Sequence, residues 1–426
     1  MSASASDTAT AHPWLAYVFL WFPHPTETFL FREVRELEAR NLPVRVFTLY
    51  GNRRENLSHD MLAYTGPVER LGVRAFFRIL LAFLTTLLRR PVVTCRLLRE
   101  GLLRKMRDAE AQLENAWAFF AGFLLARHCQ AEGIRLLHAP WANGPATAAW
   151  VASRLTGIPF MFTGRAGDMY PPDGILNEKA RDAVAIRTNN AANVDWLRRF
   201  CPAGQEHKVH LIYNALTVGE GEPVDVRMEP PFHVVSVGRF VPKKGFDVLL
   251  TAMARLRREG VPVKLTLVGD GFLRRQLVGL CQRLHLDDCV DMPGFVPHDQ
   301  WGRYRQQADV LVVPSVVDGE DGNRDGIPNV IMESLSRGVP VVATDVCGIG
   351  EVIRHNETGL LVQQRDATAL ANAIRDMCSD RVRAVRMADA GRKRVLEMFD
   401  RERNTLALCE LYCHAAGKIE VSPHAA

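Results

Sequence analysis

The sequence predicts an α/β fold in which two Rossmann-like, doubly wound domains face each other across a cleft. Short apolar runs alternate with segments of helical period, and this alternation occurs twice along the chain. Between the two halves lies a stretch rich in Gly, Pro and charge, residues 219–231, which is typical of a linker. Open parallel sheets bind ligands at the carboxyl ends of their strands, so two facing edges predict a site for two substrates.

The first half begins with an apolar run over residues 16–22, as expected for a buried parallel strand. An amphipathic helix over residues 27–40 and a strand over 44–48 follow. Further strands are predicted at residues 134–139, 160–163, 184–187 and 209–213, with a helix over 146–155 that starts behind Gly144-Pro145. Residues 13–218 are therefore predicted to form the N-terminal domain, preceded by a flexible tail over residues 1–12.

The second half repeats the scheme and predicts a C-terminal domain over residues 232–398. Its strands are predicted at residues 233–237, 263–268, 290–292, 310–313 and 339–343. Its helices are predicted at residues 244–258, 272–284, 300–308, 329–337 and 367–378. A C-terminal helix over 399–416 is expected to pack back on the N-terminal domain, and residues 417–426 form a tail.

The composition excludes several classes of protein. With 426 residues, 47% apolar and 24% charged, the chain is typical of a globular protein of two or three domains. A net charge of +5 is too small to indicate nucleic-acid binding, and none is expected. The nine cysteines contain no Cys-x-x-Cys pair, which favours a reducing compartment over disulfides or a zinc ribbon. The N-terminus lacks a signal-peptide pattern, so a cytoplasmic location is expected.

The first candidate site is the loop that follows the strand ending at Val237. Gly238 permits a tight turn, and Arg239 and Lys244 flank the loop before the next helix. Two cations in this arrangement can bind a diphosphate, since Arg supplies a fork of donors and Lys a point charge. The alternative is ordinary surface charge around a turn between strand and helix.

A second candidate is the glycine pair Gly269 and Gly271, on either side of Asp270. Backbone amides in such a turn from strand to helix can face a nucleotide. A Gly-x-Gly pattern is weak evidence by itself, and a plain tight turn is the alternative.

A third candidate spans a glycine-rich loop and the helix that follows it. Asp325 and Glu333 stand eight residues apart, so the loop carboxylate can hold sugar hydroxyls and the helix carboxylate can hold both hydroxyls of a ribose. Gly326 and Ile327 lie on the loop, where glycine lets the backbone approach a ligand closely. The helix begins near Asn329, and its N-terminus favours a departing phosphate. The alternative is an acidic surface loop.

In this order and spacing, the motifs resemble the retaining glycosyltransferases of family four, which have the GT-B fold. The resemblance is strong over residues 235–379 and weaker over the N-terminal half. It implies a retaining hexosyltransferase that uses a UDP- or GDP-sugar donor, no metal ion, and an acceptor bound by the N-terminal domain. The runs RDGIPNV and VGRFVPKKG look most like those of exopolysaccharide enzymes, which implies a glycan acceptor carried on a lipid.

The resemblance also assigns roles to single residues. Arg239 and Lys244 would bind the donor diphosphate. Asp325 would stand at the first position of the family's Glu-x7-Glu motif and contact the donor sugar, while Glu333 is the second glutamate and would hold the ribose. Together, Asp325, Arg239 and Lys244 are the expected catalytic residues, and the leaving phosphate is expected to assist deprotonation of the acceptor.

Three positions depart from the family pattern. Asp325 is shorter than the usual glutamate by one methylene, about 1.5 Å. Pro328 removes a backbone N–H from the loop. Arg165 stands where a histidine usually approaches the donor sugar, so it is a candidate donor-binding residue and implies a changed sugar preference. Asp168 keeps the acid of that segment, although a role as a loop or helix cap explains it equally well.

The first half also contains a basic, apolar segment over residues 70–107. It holds ten basic residues and one acid, Glu100, interleaved with apolar blocks that are too short to span a bilayer. Such a segment is typical of a helix that lies on an anionic membrane surface, here the inner face of the cytoplasmic membrane. The alternative is a pair of amphipathic helices whose basic sides are solvated.

Two other functions remain open from the sequence. A nucleotide-sugar epimerase has the same fold, but it requires neither the spacing of Asp325 and Glu333 nor a basic segment facing lipid. A catalytically inert module that binds nucleotide sugars is the other alternative, because Asp325 and Arg165 both depart from the family pattern.

Overall fold

The computed structural model describes residues 14–52, 55–215, 224, 226–319 and 322–417. The N-terminal tail, the first part of the linker and nearly all of the C-terminal tail lie outside these residues.

Within the described residues, strands and helices alternate along both halves of the chain. The strands are β1 (Leu15–Phe19), β2 (Val44–Thr48), β3 (Val68–Arg70), β4 (Leu136–Ala139), β5 (Phe160–Gly164), β6 (Ala185–Thr188), β7 (Val209–Leu211), β8 (Phe232–Val237), β9 (Val263–Val268), β10 (Val290–Gly294), β11 (Val310–Val313), β12 (Val341–Thr344) and β13 (Leu360–Val362). The helices are α1 (Thr28–Ala39), α2 (His59–Leu62), α3 (Phe76–Arg89), α4 (Pro91–Leu97), α5 (Ala109–Ala131), α6 (Gly144–Thr156), α7 (Leu176–Asp182), α8 (Ala192–Arg198), α9 (Phe246–Arg258), α10 (Arg274–Arg283), α11 (Trp301–Gln306), α12 (Asn329–Leu335), α13 (Ile349–Val352), α14 (Ala367–Ser379), α15 (Arg381–Met398) and α16 (Arg401–Ala415).

The strands form two parallel sheets. The first has the order β3-β2-β1-β4-β5-β6-β7, and the second has the order β10-β9-β8-β11-β12-β13. Each order reverses direction beside the first strand of its domain, which is the point where doubly wound sheets bind ligands. The fold class predicted from the sequence is confirmed.

Apolar side chains cover both faces of each sheet. Every residue of β1 is fully buried, as the continuous apolar run predicts. Each domain holds two separate apolar clusters of buried residues. The C-terminal helix α16 contributes Leu408, Leu411 and Tyr412 to a cluster of the N-terminal domain, so the end of the chain crosses back to the domain where it began.

Several predicted boundaries shift by a few residues. The helix expected from residue 244 starts at Phe246, because Pro242–Lys244 form a 3-10 turn that ends at Gly245 with φ +62°. The three-residue strands β3 and β13 were not predicted, since three residues carry too little periodicity. The segment 70–107 forms α3 and α4, followed by a π-helical turn at Leu98–Leu102.

A buried polar network joins α16 to the N-terminal sheet. Arg187 donates a hydrogen bond to Glu33 at 2.6 Å, and the hydroxyl of Tyr17 donates to the same carboxylate at 2.9 Å. The hydroxyl of Tyr412 contacts that of Tyr17 and lies 2.9 Å from Nδ1 of His138. Burial by itself raises the pKa of Glu33, but the guanidinium of Arg187 outweighs it and holds the pKa at about 2.

Replacing Glu33 with Gln is expected to destabilise the N-terminal domain by about 3–5 kcal/mol at neutral pH, because Arg187 is left as a buried, unpaired charge. Since the folded-state pKa of Glu33 is depressed, its contribution is present above the unfolded pKa of about 4.3 and is lost as the pH falls toward 2. Urea denaturation at pH 7 and at pH 3 measures both effects. Glu36→Gln on the same helix is the matched control, since its partners Arg40 and Arg401 are partly exposed and the expected loss is below about 1 kcal/mol. Equal losses for the two variants would contradict the prediction.

Candidate active site in the interdomain cleft

The carboxyl edges of the two sheets face each other, and their loops are in contact. A Cβ placed on Gly167, in the loop after β5, would lie 3.1 Å from Oδ1 of Asn323, in the loop after β11. The guanidinium of Arg324 lies 4.3 Å above the ring of Tyr170. The candidate residues of both domains are therefore brought to one cleft.

The loop after β8 carries three cations toward the cleft. Lys244 donates a hydrogen bond to Asp325 at 2.7 Å, and Lys243 lies 3.4 Å from the other oxygen of that carboxylate. Arg239 is exposed. Burial lowers the pKa of the Lys243 ammonium, Asp325 raises it, and the nearby charges of Lys244 and Arg239 lower it further. The structure thus adds Lys243, which the sequence analysis did not select, to the predicted pair Arg239 and Lys244.

Asp325 is a buried, charged counter-ion of these lysines. Ser315 Oγ donates at 2.8 Å to Oδ2 of Asp325, the same oxygen that accepts from Lys244. Burial by itself raises the pKa of Asp325, but Lys244 and Lys243 hold it well below the usual range of an aspartate. In this arrangement Asp325 holds the two ammonium groups in place.

Glu333 lies on α12 and is linked to the N-terminal domain through His298. Nε2 of His298 lies 3.0 Å from the Glu333 carboxylate, and Nδ1 lies 3.3 Å from a guanidinium nitrogen of Arg32 on α1. Burial raises the pKa of Glu333, but the hydrogen bond from His298 outweighs it, and the net shift is downward. No sequence signal points to His298 or Arg32, because they come from a 3-10 turn and from a helix of the other domain.

Gly269 and Gly271 allow two loops to touch. Gly269 has φ +144°, and a Cβ there would lie 1.9 Å from the carbonyl oxygen of Gly238. A Cβ on Gly271, with φ +158°, would lie 2.6 Å from the carbonyl oxygen of Phe240. Both glycines are therefore required for the loop after β9 to pack against the loop that carries Arg239.

The loop before α12 meets the N-terminal domain at Gly326. A Cβ there would lie 2.9 Å from Nδ2 of Asn190 and 3.1 Å from the carbonyl oxygen of Arg165, so a larger residue would require these groups of the other domain to shift. The side chain of Ile327 is buried in an apolar cluster of the C-terminal domain. Asn329 Oδ1 lies 3.4 Å from Nδ2 of Asn214.

Arg165 is buried in the cleft wall of the N-terminal domain. Its Nε donates to the carbonyl of Pro140 at 3.1 Å, and Nη1 donates to Oδ1 of Asn214 at 2.8 Å. Its guanidinium carbon lies 4.7 Å above the ring of Phe29. Burial lowers the pKa of Arg165 to about 10, so the side chain stays charged at neutral pH. Its Nη2 is buried and has no hydrogen-bond partner among the described residues.

Asp168 holds the backbone of this segment in place. Its carboxylate accepts hydrogen bonds from the backbone N–H groups of Ala142, Ala166 and Arg165, at 2.8, 2.7 and 3.1 Å. These contacts agree with the capping role that the sequence analysis considered for Asp168.

Across the described residues, no group of three or more His, Cys, Asp and Glu side chains is arranged to hold a metal ion.

Comparison with known proteins identifies the family. The family model of "Glycosyl transferases group 1" matches residues 224–394. The lipopolysaccharide core biosynthesis glycosyltransferase LpsE of Rhizobium meliloti is 32% identical over 251 residues, which cover 58% of this chain and 68% of LpsE. The chain belongs to the group 1 glycosyltransferases. The resemblance noted from the sequence motifs is confirmed.

Other members and neighbours of this glycosyltransferase family agree with the fold. The putative colanic acid biosynthesis glycosyltransferase WcaL of Escherichia coli is 38% identical over 144 residues, 34% of this chain and 35% of WcaL. The match thus spans about a third of the length of that relative. The crystal structure of Anabaena HepE in complex with UDP and glucose has a TM-score of 0.69 at 18% identity, over 94% of this chain and 99% of HepE.

Gly269→Ala is expected to destabilise the C-terminal domain by about 3 kcal/mol or more, because the new Cβ collides with backbone and not with a movable side chain. Gly260→Ala is the matched control: Gly260 also has a positive φ, +73°, but a Cβ there meets nothing within 4 Å. Its expected cost is about 1–2 kcal/mol, from the left-handed backbone alone. Thermal unfolding of the two variants measures the difference, and equal losses would contradict the tight packing of the two loops.

Proposed function

We propose that this chain is a retaining, metal-independent hexosyltransferase that moves a hexose from a UDP- or GDP-sugar to a lipid-linked glycan, in the synthesis of exopolysaccharide or cell-surface polysaccharide. The observation that carries the proposal is the convergence of Arg239, Lys243 and Lys244 on the same edge of the cleft as Glu333. This arrangement suits a nucleoside diphosphate, whose phosphates need cations and whose ribose needs a hydrogen-bond acceptor. The UDP bound by HepE and the colanic acid pathway named for WcaL support it.

The cations supply the electrostatic part of the proposed reaction. As the bond between the anomeric carbon and the diphosphate breaks, negative charge develops on the leaving oxygen, and Arg239 and Lys244 stabilise it. The acceptor hydroxyl attacks from the side where the phosphate departs and gives its proton to that phosphate. Retention of configuration, metal independence and this proton route follow the resemblance to family four.

The ion pair between Lys244 and Asp325 is the form of the site before the donor binds. Before the donor binds, Asp325 balances the charge of the lysines and fixes their direction. When the diphosphate binds, the ammonium of Lys244 contacts the phosphate as well as Asp325. Asp325 then becomes available to accept hydrogen bonds from hydroxyls of the donor sugar. Arg165, on the opposite wall, is proposed to contact the same sugar.

We also propose that α3 and α4 rest on the inner face of the cytoplasmic membrane. Their outward side chains are apolar: Phe77 is 80% exposed, Leu88 82% and Val92 72%. A contiguous exposed apolar surface is unusual in a protein that stays in water. Arg89, Arg96 and Arg99 flank it and are exposed. Exposed apolar side chains flanked by arginines suit shallow insertion between anionic headgroups. No helix in the described part of the chain is long and apolar enough to cross a bilayer.

Arg239→Ala is expected to reduce sugar transfer by about 10²–10³-fold, the scale seen when one donor to a developing oxyanion is lost. The assay incubates the protein with UDP- and GDP-hexoses and a polyprenyl-diphosphate-linked acceptor, and follows transfer, epimerisation and donor binding in parallel. Arg283→Ala, an exposed arginine at the far end of α10, is the control and should stay fully active. Epimerised donor, or donor binding without any transfer, would replace the proposed function by one of the two alternatives.

Phe77→Gln combined with Leu88→Gln is expected to abolish most binding to vesicles that contain anionic lipid, because the apolar contact is lost. Changing Arg89, Arg96 and Arg99 to Gln should weaken the same binding and its salt sensitivity, at about 1 kcal/mol per arginine near the surface. Arg90 is left unchanged, since it donates to the carbonyl of Leu155 at 2.8 Å. Vesicle co-sedimentation at low and high salt measures both effects.

The matched control for the arginine variant changes Lys264, Arg283 and Arg386, exposed cations of the C-terminal domain, to Gln. It removes the same charge and should leave vesicle binding nearly unchanged. Equal binding to neutral and anionic vesicles, or an equal loss in the control, would contradict the proposed membrane surface.

A further inference from the structure

Glu27 stands at the start of α1, yet its side chain does not cap the helix. The residues preferred at this position are Ser, Thr, Asp and Asn, whose short side chains accept the free backbone N–H groups. Here the carboxylate accepts none of them, and the backbone carbonyl of Glu27 accepts from Leu30 and Phe31 as the helix begins. The carboxylate therefore remains available for other partners, and the residue is partly buried.

Glu27 lies in the cleft wall of the N-terminal domain. Trp141 follows β4 and Arg165 follows β5, and these strands lie side by side with β1 in the sheet. Phe29, two residues after Glu27, has its ring 6.2 Å from the ring of Trp141 and 4.7 Å from the guanidinium carbon of Arg165, so the start of α1 packs against both side chains. The charges of Arg165 and Asp168 also act on the Glu27 carboxylate. Trp141 Nε1 and Arg165 Nη2 are both buried and, among the described residues, lack a hydrogen-bond partner of good geometry. The wall thus combines one acceptor with two donors that are still unsatisfied.

Buried donors without a partner indicate that a bound ligand supplies their hydrogen-bond acceptors. A buried N–H without a partner costs about 1–3 kcal/mol, and most buried polar groups in proteins are paired. Arg165 is only 4% exposed, and Pro140, Asn214 and Phe29 hold its guanidinium rigidly. A preorganised donor of this kind suits a sugar hydroxyl, which can both accept and donate.

The position of Glu27 relative to the proposed reaction indicates which substrate it contacts. Arg239, across the cleft, also acts on its carboxylate. In the proposed function, Arg239 binds the diphosphate and Arg165 contacts the donor sugar, so the bond that breaks lies between the two cations. Glu27 is influenced by both of them and belongs to the domain expected to bind the acceptor.

We propose that the Glu27 carboxylate accepts a hydrogen bond from the attacking hydroxyl of the acceptor sugar and orients it, while Trp141 Nε1 and Arg165 Nη2 bind neighbouring sugar hydroxyls. This inference rests on the proposed function and adds the acceptor side of the site. The leaving phosphate remains the group that receives the proton.

The electrostatics of Glu27 make this role pH-dependent. Burial raises its pKa to about 7, although Trp141, Arg165 and Arg239 all lower it, and Asp168 raises it further. Below pH 7 the carboxyl group carries a proton and is a poorer acceptor for the hydroxyl. Transfer should therefore fall as the pH drops below about 7 and level off above it.

The test compares Glu27→Gln with the parent in steady-state transfer to a polyprenyl-diphosphate-linked acceptor. We expect a loss of about 10²-fold in kcat, the scale for a misplaced reactant. The KM for the donor and the affinity for free UDP or GDP should stay within about twofold. The rise in rate around pH 7 should vanish, because glutamine does not titrate. Glu27→Asp, which keeps a carboxylate, should restore part of the rate together with the pH dependence.

Glu206→Gln is the matched control. Glu206 is exposed and precedes β7, at the amino edge of the sheet and away from the cleft, so rate and pH profile should equal those of the parent.

Three results would overturn the role of Glu27 while leaving the proposed function intact. These are a fully active Glu27→Gln variant, an unchanged pH profile in that variant, or an equal loss of nucleotide affinity and transfer. A parent protein that transfers no sugar overturns the proposed function itself, and the role of Glu27 falls with it.

Discussion

The buried ion pair between Arg187 and Glu33 connects the parts of this molecule that must stay together. Arg187 comes from β6 and Glu33 from α1, while Tyr17 of β1 and Tyr412 of α16 complete the network. Because α16 follows the whole C-terminal domain in the chain, its attachment here brings the end of the chain back to the N-terminal sheet. A buried pair of this kind adds little net stability, but losing one partner is costly, so it specifies one arrangement against others.

Helix α1 extends from this buried network to the cleft and so connects the two regions. Glu33 lies in the buried network, Arg32 reaches His298 of the other domain, and Glu27 faces the cleft at the start of the helix. A second connection between the domains is formed by Glu351. Its carboxylate accepts the backbone N–H groups of Ala191 and Ala192 and the hydroxyl of Tyr213, at 3.0, 3.1 and 2.8 Å. Opening of the cleft must break contacts at both places.

The charges of the cleft are arranged before any substrate binds. Lys243 and Lys244 are held by Asp325, and Glu333 is held by His298, so each of these four groups has a partner of opposite sign or a hydrogen-bond donor. Such preorganisation matters for catalysis, since groups that are already oriented pay no reorganisation cost as charge develops. The same requirement explains Gly269 and Gly271, because the loop with the cations keeps its shape only where a neighbouring loop can touch it.

Much of the fold, and several residues of the candidate site, could be predicted from the sequence alone. The alternation of apolar runs and helices predicted both parallel sheets, and the strands at residues 44–48, 263–268 and 310–313 agree with the structure at both ends. The succession of strands, loops and helices along the sequence also predicted where the candidate residues lie. It placed Arg239, Lys244, Asp325 and Glu333 at the carboxyl ends of strands or at a helix start, which is where doubly wound folds bind ligands. These inferences succeed because each depends on residues that are near one another in the chain.

The tertiary structure alone decided which distant side chains meet. Lys243 and Lys244 are adjacent and chemically alike, and only the 3-10 turn at Pro242–Lys244 directs both toward Asp325. His298 joins Arg32 to Glu333 over separations of 266 and 35 residues, and Glu27 meets Trp141 and Arg165 because β1, β4 and β5 are neighbours in the sheet. Periodicity records which face of an element is buried, but it carries no information on which elements face each other. Contacts between distant elements are set by the packing of the whole chain.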